Sequence, residues 1–392
     1  MKRLSERVKT PTAVLSRMAE AGKAGRVLAP PVDLLLNAGW RAGREQRAAQ
    51  AAAAAWTPRV RRGIYNQIWQ DAADHHGAKL QPLSGDFLLI SKGDRRTVVW
   101  YHTVMLDFGL TLLLALDKVA VHGLLEGVGV PMAAHVRFEA DDIRPGLEFL
   151  ESLEGRSCVV KPASSTSGGE GVTCGVRSAD DLDRARLWAW RWGTQVLVEE
   201  QAVGQEFRFL FLDGELLDIL RRHPPRVVGD GKSTVSELMI AENNRRADAQ
   251  GRAGTPFLSA DLDCLLTLER SAHSLRSVPG DGEVVQVKAA ANQNGAAEND
   301  TVSPSEVGPA LIADAAAAAR ATDLRFAGVE LITPDPSLSL QDAGGLVVEV
   351  NGTPGLHYHY LVSQPERAVP IAIPLLDALL DPARTRGYQS GF

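Results

Sequence analysis

Two apolar stretches near the end of the chain, joined by a turn-rich segment, constrain the fold most strongly. Phe326–Thr333 reads FAGVELIT, residues 345–351 read GLVVEVN, and the segment between them is rich in Pro, Asp, Ser and Gly. Two such runs with this connection predict a β-hairpin. Alternate residues of a strand share a face, so Glu349 and Asn351 point the same way, and Glu330 can pair beside them from the first strand.

The three polar side chains of this hairpin place oxygen atoms between apolar neighbours. Mg²⁺ takes such hard ligands and shares its remaining positions with phosphate and water. The alternative is a solvated strand face, which is disfavoured because Glu and Asn are poor strand formers. The pattern therefore predicts a Mg²⁺ site formed by Glu330, Glu349 and Asn351.

The charge of the chain is unevenly distributed along its 392 residues, a length sufficient for two or three domains. The net charge is −6, yet residues 1–62 hold 13 Lys and Arg against 4 Asp and Glu. An enzyme acting on nucleic acid usually carries positive charge around its cleft, so the acidic body predicts no nucleic-acid partner. The basic segment is predicted to form two helices, around residues 10–27 and 39–55, and the periodicity of residues 64–76 predicts a third. The basic segment forms either a solvated layer or oligomer contact, or a surface for an acidic partner.

The cysteines and the apolar segments indicate the compartment. Cys158, Cys174 and Cys264 are odd in number and lack metal-ligand spacing, which favours buried thiols over a disulfide or zinc site. No segment approaches the roughly 18 apolar residues of a membrane span. The basic start of the chain has no apolar region of the secretory type. We therefore expect a cytoplasmic protein.

A glycine-rich loop follows a predicted strand that ends at Lys161. Residues 163–172 are mostly Ser, Thr and Gly, and a return strand follows them. Small residues let backbone N–H groups approach an anion closely, so the loop predicts phosphate binding. It matches neither the GxxxxGK[ST] loop nor the GxGxxG fingerprint.

Two further positions carry charges suited to phosphate chemistry. Residues 110–127 predict one helix with Lys118 in the middle of an apolar face, where a lone lysine is usually solvated. Arg221 and Arg222 end a predicted strand beside a glycine turn. Guanidinium groups at such a place suit a phosphate or a developing oxyanion.

Together these segments resemble the ATP-grasp superfamily of carboxylate–amine ligases, most closely the cyanophycin synthetase and bacterial glutathione synthetase types. The resemblance is strongest at residues 117–118, 161–172, 198–230 and 328–355. It implies an α/β (α+β) architecture, the ATP-grasp fold, in which two α/β subdomains clamp ATP.

The resemblance also implies a domain organisation. We expect a basic helical arm over residues 1–62 and a small α/β unit over residues 63–110. The N-terminal ATP-grasp subdomain, with the glycine-rich loop, is expected over residues 111–197. The C-terminal subdomain, with the Mg²⁺ site, is expected over residues 198–392.

The resemblance implies roles for individual residues. Lys118 and Lys161 match the lysines that hold the nucleotide phosphates. Arg222 matches the arginine that steadies the acyl phosphate and the tetrahedral intermediate, and Arg221 beside it is a second catalytic candidate. Glu330, Glu349 and Asn351 match the Mg²⁺ ligands, which hold two ions.

The remaining nucleotide-binding residues belong to the loop and to a hinge. The loop that closes over the β- and γ-phosphates comprises Ser165, Thr166, Ser167, Gly168, Gly169, Gly171 and Val172. The hinge that reads adenine comprises Glu199, Glu200, Gln201 and Ala202, and Glu206 matches the acid that contacts the ribose.

The chemistry implied is ATP-dependent ligation with ATP and Mg²⁺ as cofactors. The γ-phosphoryl group activates a carboxylate as an acyl phosphate, and an amine then forms an amide or peptide bond with release of ADP and phosphate. The expected partners are small amino-acid or peptide-like substrates, and a homodimer is the family expectation. The alternatives are an ATP-grasp kinase that stops at a phosphorylated product and a non-catalytic nucleotide-binding protein.

Two departures from the family pattern bear on the substrate. The first metal acid is commonly Asp in the nearest relatives and is Glu330 here, one methylene longer. The Asn-x-Ser-x-Gly-Gly loop of the cyanophycin type corresponds only to Asn-Gln-Asn-Gly-Ala at residues 292–296. This second departure argues against a cyanophycin-type substrate.

Overall fold

The computed structural model describes residues 43–163, 171–248, 258–291 and 298–381. The helices within these ranges are α1 (Gly43–His76), α2 (Gly109–Leu116), α3 (Lys118–Glu126), α4 (Arg144–Ser152), α5 (Ala179–Ala189), α6 (Val235–Asp248), α7 (Leu262–Arg270), α8 (Pro309–Ala321), α9 (Leu340–Ala343) and α10 (Ala372–Leu380). The strands are β1 (Lys79–Pro82), β2 (Phe87–Lys92), β3 (Arg95–Trp100), β4 (His135–Glu139), β5 (Cys158–Pro162), β6 (Thr173–Val176), β7 (Gln195–Glu200), β8 (Gln205–Leu212), β9 (Glu215–His223), β10 (Arg226–Val228), β11 (Val284–Gln286), β12 (Glu298–Thr301), β13 (Phe326–Thr333) and β14 (Leu346–Asn351). The mixed α/β class predicted from the sequence is confirmed.

The predicted hairpin is the edge of a five-stranded antiparallel sheet with the order β12-β9-β8-β13-β14. In its register Glu330 lies opposite Glu349 on one side and opposite Arg208 on the other. Arg222 lies opposite Glu206. Because side chains alternate along a strand, these residues occupy one face of the sheet.

The two faces of this sheet are covered by different layers. On one face, alternate residues such as Phe207, Phe209 and Val329 form an apolar core with α3 and α8. On the other face, Leu210 and Leu212 pack with α1, α10 and the small sheet β1-β2-β3. The charged residues share this second face with those leucines, so the layer built on α1 lies next to them.

A second unit is built on the four-stranded sheet β4-β7-β5-β6. Its apolar side packs against α4, α5 and α7. The pair β10 and β11 forms a further small core with α6 and α7. In the antiparallel pair β5 and β7, Lys161 lies opposite Leu197 and Glu199 lies opposite Val159. Because side chains alternate along a strand, Lys161 and Glu199 share one face of this sheet.

The single helix predicted over residues 110–127 is wrong, because the structure contains two helices that meet at Asp117. The Asp117 carboxylate accepts hydrogen bonds from the Val119 and Ala120 N–H groups and so caps α3. Asp competes for backbone donors in this way and favours helix starts over helix interiors. Lys118 is therefore the first residue of a helix and not a residue in its middle.

The helix α1 runs without interruption across residue 62. The sequence predicted separate helices over residues 39–55 and 64–76, with a domain boundary between them. The helix predicted over residues 10–27 lies outside the described residues. The division of the chain at residues 62, 110 and 197 stays a prediction.

The cysteines lie in the interior of the protein. Cys158, Cys174 and Cys264 are all buried and none is in a disulfide, as predicted. Over the ranges that the structure describes, each helix is too short or too polar to cross a membrane.

Gly204, in the connection between β7 and β8, gives a test of the packing between the two sheet systems. Its φ of +131° is rarely adopted by other residues, and an added Cβ would lie 2.2 Å from the carbonyl of Thr333. We expect Gly204→Ala to lower the free energy of unfolding in urea by about 2 kcal/mol or more.

Gly193→Ala is the matched control for this substitution. An added Cβ at Gly193 meets no atom within 4 Å, so its cost is expected to stay below about 1 kcal/mol. Equal stability of the two variants would contradict the close packing of Gly204 on β13.

Candidate active site

The structure brings the three predicted metal ligands together at the end of the hairpin. The Asn351 amide nitrogen lies 3.1 Å from Glu330 Oε1 and 3.4 Å from Glu349 Oε2. Within the described ranges no cluster of three or more Asp, Glu, His or Cys side chains could hold a metal. Glu330, Glu349 and Asn351 are not such a cluster, because they supply two carboxylates and one amide.

Glu330 is the centre of a buried charge network that spans three strands. Its Oε1 accepts hydrogen bonds from Arg208 at 2.6 Å and from Arg222 at 2.8 Å. All three side chains are buried, with at most 8% of each residue exposed. Burial alone would raise the pKa of Glu330, but Arg222 and Arg208 outweigh it and hold that pKa at about 2. Charges this deeply buried are tolerated because they are paired.

Glu206 shares Arg222 with Glu330. The second guanidinium nitrogen of Arg222 donates to Glu206 Oε1 at 2.6 Å. Burial, reinforced by the negative charge of Glu330, raises the pKa of Glu206 to about 7 although Arg222 opposes this shift. Both carboxylates pair with Arg222, but Glu330 also pairs with Arg208, so ionisation of Glu330 is favoured over that of Glu206.

The two predicted phosphate-binding lysines each face a carboxylate in the same region. Lys118 Nζ lies 2.9 Å from Glu349 Oε1, and Lys161 Nζ lies 2.5 Å from Glu199 Oε2. Burial disfavours the charged form of Lys118, but the attraction of Glu349 outweighs it and raises its pKa. Both lysines are therefore anchored at the cleft by residues that the sequence also assigned to the site.

The predicted hinge residues use their side chains for contacts within the protein. Glu200 forms an ion pair with Arg156. The Gln201 side-chain oxygen accepts a hydrogen bond from the Gly175 N–H at 2.6 Å. The hinge is thereby tied to the neighbouring strands β5 and β6.

A cavity of about 720 Å³ lies between the two sheet systems. The predicted site residues along its wall are Lys118, Lys161, Val172, Glu199, Glu200, Gln201, Ala202, Glu206, Arg222, Glu330, Glu349 and Asn351. Residues 165–169 of the glycine-rich loop lie outside the described residues. Gly171 has a φ of +77° and packs on Pro162 and Trp192 instead of lining the cavity.

Arg221 is not brought into the cavity. It precedes Arg222 on β9 and therefore points to the opposite face of the sheet. Its guanidinium lies 5.6 Å from the centre of the Phe207 ring. The structure thus separates the two adjacent arginines that the sequence grouped together.

Several cavity residues were missed by sequence reasoning. Arg208 could have been found, because it lies two residues after Glu206 on the same strand and so on the same face. Arg61, His102 and Tyr358 line the cavity from segments far apart in sequence. His357 also lines the cavity.

Comparison with known proteins gives the relationship. No family model matches the chain. The chain is 32% identical over 257 residues to cyanophycin synthetase of Trichormus variabilis, which covers 64% of this chain and 28% of that protein. It is 26% identical over 281 residues to the glutathione biosynthesis bifunctional protein GshAB of Clostridium perfringens, covering 70% of this chain and 35% of that protein. The chain is thus similar to cyanophycin synthetases and to bifunctional glutathione biosynthesis proteins.

This similarity confirms the resemblance to the cyanophycin synthetase and glutathione synthetase types that the motifs indicate. Among solved structures, the bifunctional glutathione synthetase of Pasteurella multocida aligns with a TM-score of 0.49 and 24% identity, covering 76% of this chain and 41% of that chain. The chain spans about 28% of the length of the cyanophycin synthetase that it matches. The similarity therefore concerns one part of much longer proteins.

The charge network predicts different roles for the two adjacent arginines. Arg222→Gln removes a partner of both Glu206 and Glu330, and breaking a buried pair typically costs 3–5 kcal/mol. We expect urea unfolding to show a loss of about that size.

Arg221→Gln is the matched control and should cost less than about 1 kcal/mol. This partly exposed side chain loses a cation–π contact with Phe207 and the solvent-screened attraction of Asp300 and Glu306. Similar losses in both variants would contradict the assigned faces of β9.

His122 predicts a dependence of stability on pH. Burial lowers its pKa from 6.5 to about 4, and the neighbouring positive charges add to this against the attraction of Glu199. Below pH 6.5 the unfolded chain binds a proton that the folded protein does not, so stability falls as the pH drops from about 6.5 to about 4.

The contribution of this one group is at most about 1.4 kcal/mol per pH unit. We expect the free energy of unfolding of His122→Gln to fall less steeply than that of the parent between about pH 5 and 7, and in parallel with it above about pH 7. Identical slopes over the lower range would show that His122 is not held neutral.

Proposed function

We propose that this protein is an ATP-dependent carboxylate–amine ligase that forms an amide or peptide bond through an acyl phosphate and releases ADP and phosphate. The observation that carries the proposal is a cavity whose lining includes Lys118, Lys161, Arg222, Glu330, Glu349 and Asn351. The relatives named cyanophycin synthetase and glutathione biosynthesis protein support it. An enzyme of this class requires ATP and Mg²⁺, and we propose both for this chain.

The hairpin residues fit Mg²⁺ in the chemistry of their remaining atoms. The protein contacts of Glu330 fall on Oε1, so among the described residues its Oε2 has no hydrogen-bond partner. The Asn351 amide turns its nitrogen toward the two carboxylates, which leaves its oxygen for a ligand. Glu330, Glu349 and Asn351 would therefore hold the metal through hard oxygen atoms. Bound there, Mg²⁺ would neutralise charge on the transferring phosphoryl group.

The lysines would supply the positive charge for the nucleotide phosphates. Each is held at the cavity by a carboxylate, Lys118 by Glu349 and Lys161 by Glu199. A phosphate that approaches them meets cations that are already positioned, which reduces the reorganisation needed during reaction. The hinge residues 199–202 and Glu206 would contact the adenosine, and residues 165–169, Gly171 and Val172 would close over the phosphates.

Arg222 would stabilise the reaction through its charge. Two of its nitrogen atoms pair with Glu206 and Glu330, and it lines the cavity beside the metal ligands. A buried cation next to the reacting carbonyl favours the developing oxyanion. We propose no contact with the substrate for Arg221, because it faces the other side of the sheet.

We further propose the setting in which this chemistry takes place. The partners are small carboxylate and amine substrates and not nucleic acid, in keeping with the acidic body of the chain. The compartment proposed is the cytoplasm, and the oligomer proposed is a homodimer.

The direct test is release of ADP and phosphate from Mg²⁺-ATP with a panel of amino acids and simple dicarboxylates. We expect turnover that needs both an acid and an amine and yields an amide. Glu349→Ala should reduce it by about a hundredfold or more, because a group that stabilises charge in the transition state is lost. Glu366→Ala, which removes an exposed carboxylate outside the cavity, should retain the parent rate.

Two results would contradict the proposal. Turnover with the acid alone that leaves a stable phosphorylated product would indicate a kinase. Nucleotide binding without turnover on any pair of substrates, with Glu349→Ala and Glu366→Ala indistinguishable, would indicate a binding protein.

A further inference from the structure

One end of the cavity is formed by residues outside the nucleotide and metal sets. Arg61 comes from α1, His102 follows β3, and His357 lies in a 3-10 turn at Leu356–His359. A nitrogen atom of each side chain is buried without a hydrogen-bond partner among the described residues: Arg61 Nε, His102 Nδ1 and His357 Nε2. Leaving such atoms unpaired is costly, so three of them along one wall indicate a site for a ligand that accepts hydrogen bonds.

Tyr65 holds this end in place. It lies one helical turn after Arg61 on α1, so both side chains share a face of the helix. Its hydroxyl lies 2.8 Å from His357 Nδ1, and its ring centre lies 5.9 Å from that of His102. Burial raises the pKa of Tyr65, which keeps the hydroxyl protonated as a donor. With Nδ1 accepting this bond, the ring hydrogen of a neutral His357 lies on Nε2, the unpartnered atom.

The charge of this end is that of a single guanidinium. Burial and the nearby Arg61 lower the pKa of His102 to about 4 and that of His357 well below its ordinary value. Both imidazoles are then neutral near pH 7. In the described part of the chain no carboxylate forms an ion pair with Arg61, whereas its neighbour Arg62 pairs with Asp86 outside the cavity.

This end is continuous with the metal ligands. The rings of His357 and Tyr358 have centres 3.7 Å apart, and Arg208 lies 6.0 Å from the centre of the Tyr358 ring. Arg208 in turn donates to Glu330. A small molecule can therefore reach the metal ligands with one group and the Arg61 end with another.

We propose that Arg61, His102 and His357 bind a second carboxylate of the substrate, distinct from the carboxylate that is activated. One guanidinium with two neutral N–H donors matches the single charge and the oxygen acceptors of a carboxylate. The substrate class is thus a dicarboxylic acid or an amino acid or short peptide with an additional free carboxylate. The inference rests on the proposed function, in which the other carboxylate of the substrate is the one that ATP activates.

The test uses the full chain and two related probes. Succinate carries carboxylates at both ends, and succinamate replaces one of them with an amide. Their binding is measured by titration calorimetry in the presence of Mg²⁺-ADP, whose own affinity is measured separately. We expect saturable binding of succinate that is weakened about tenfold or more in Arg61→Gln, with Mg²⁺-ADP affinity unchanged. Arg61→Lys should recover part of the loss, and the control Arg62→Gln should bind succinate like the parent.

A second readout separates a direct role from a structural one. Succinate should shift the ring nitrogen resonances of His102 and His357 in the parent and not in Arg61→Gln, and succinamate should compete at least several-fold more weakly. Parent protein that binds Mg²⁺-ADP but shows no saturable succinate binding would overturn the inference. Equal succinate affinity in the parent and in Arg61→Gln would overturn it as well.

Failure of the proposed function gives a different result. The chain would then bind no Mg²⁺-ADP, or would show no turnover with any acid and amine. If succinate still binds in that case, and Arg61→Gln still weakens it, the carboxylate site is supported. Only the proposal that the site belongs to a ligase would then be wrong.

Discussion

The buried contact of Glu330 with Arg208 and Arg222 is the interaction on which the rest of the site depends. It joins β13, β8 and β9 through side chains on one face of the sheet. Each charge is too deeply buried to exist alone, so the three fix one another's positions. This fixes Glu330 beside Asn351 and Glu349, and Glu349 in turn anchors Lys118.

The two oxygen atoms of Glu330 have different roles in this network. Oε1 of Glu330 accepts the hydrogen bonds of Arg208 and Arg222, and we propose that Oε2 binds the metal. Arg222 and Arg208 together hold the pKa of Glu330 low, while burial raises that of Glu206, so the Glu330 carboxylate carries its charge throughout the ordinary pH range. A strongly ionised carboxylate beside an amide is suited to hold Mg²⁺, as the proposed function requires.

Much of this site could be predicted because its residues break a local rule. Glu349 and Asn351 interrupt an apolar strand with a period of two, and Lys161 ends another, so the pattern alone placed them at a cleft. The predicted metal ligands, the two lysines and all four predicted hinge residues line one cavity. The Arg222 side chain was also placed there by its motif.

The remaining features depend on long-range contacts that a linear pattern does not contain. Arg61 and His357 line one cavity because α1 packs on a turn almost 300 residues later in the chain, where the Tyr65 hydroxyl contacts His357. The break between α2 and α3 was missed because the apolar period continues through Asp117, whose capping bonds decide the helix start. Arg221 was grouped with Arg222 although the alternation of a strand separates them, an error that register reasoning alone could have avoided.

The most direct test of the account is a crystal structure of the chain with Mg²⁺ and a non-hydrolysable ATP analogue. We expect the metal to be bound by oxygen atoms of Glu330, Glu349 and Asn351, and the phosphates to contact Lys118 and Lys161. The contacts of Glu330 with Arg208 and Arg222 should be retained. A nucleotide bound elsewhere, or metal held without the hairpin residues, would contradict it.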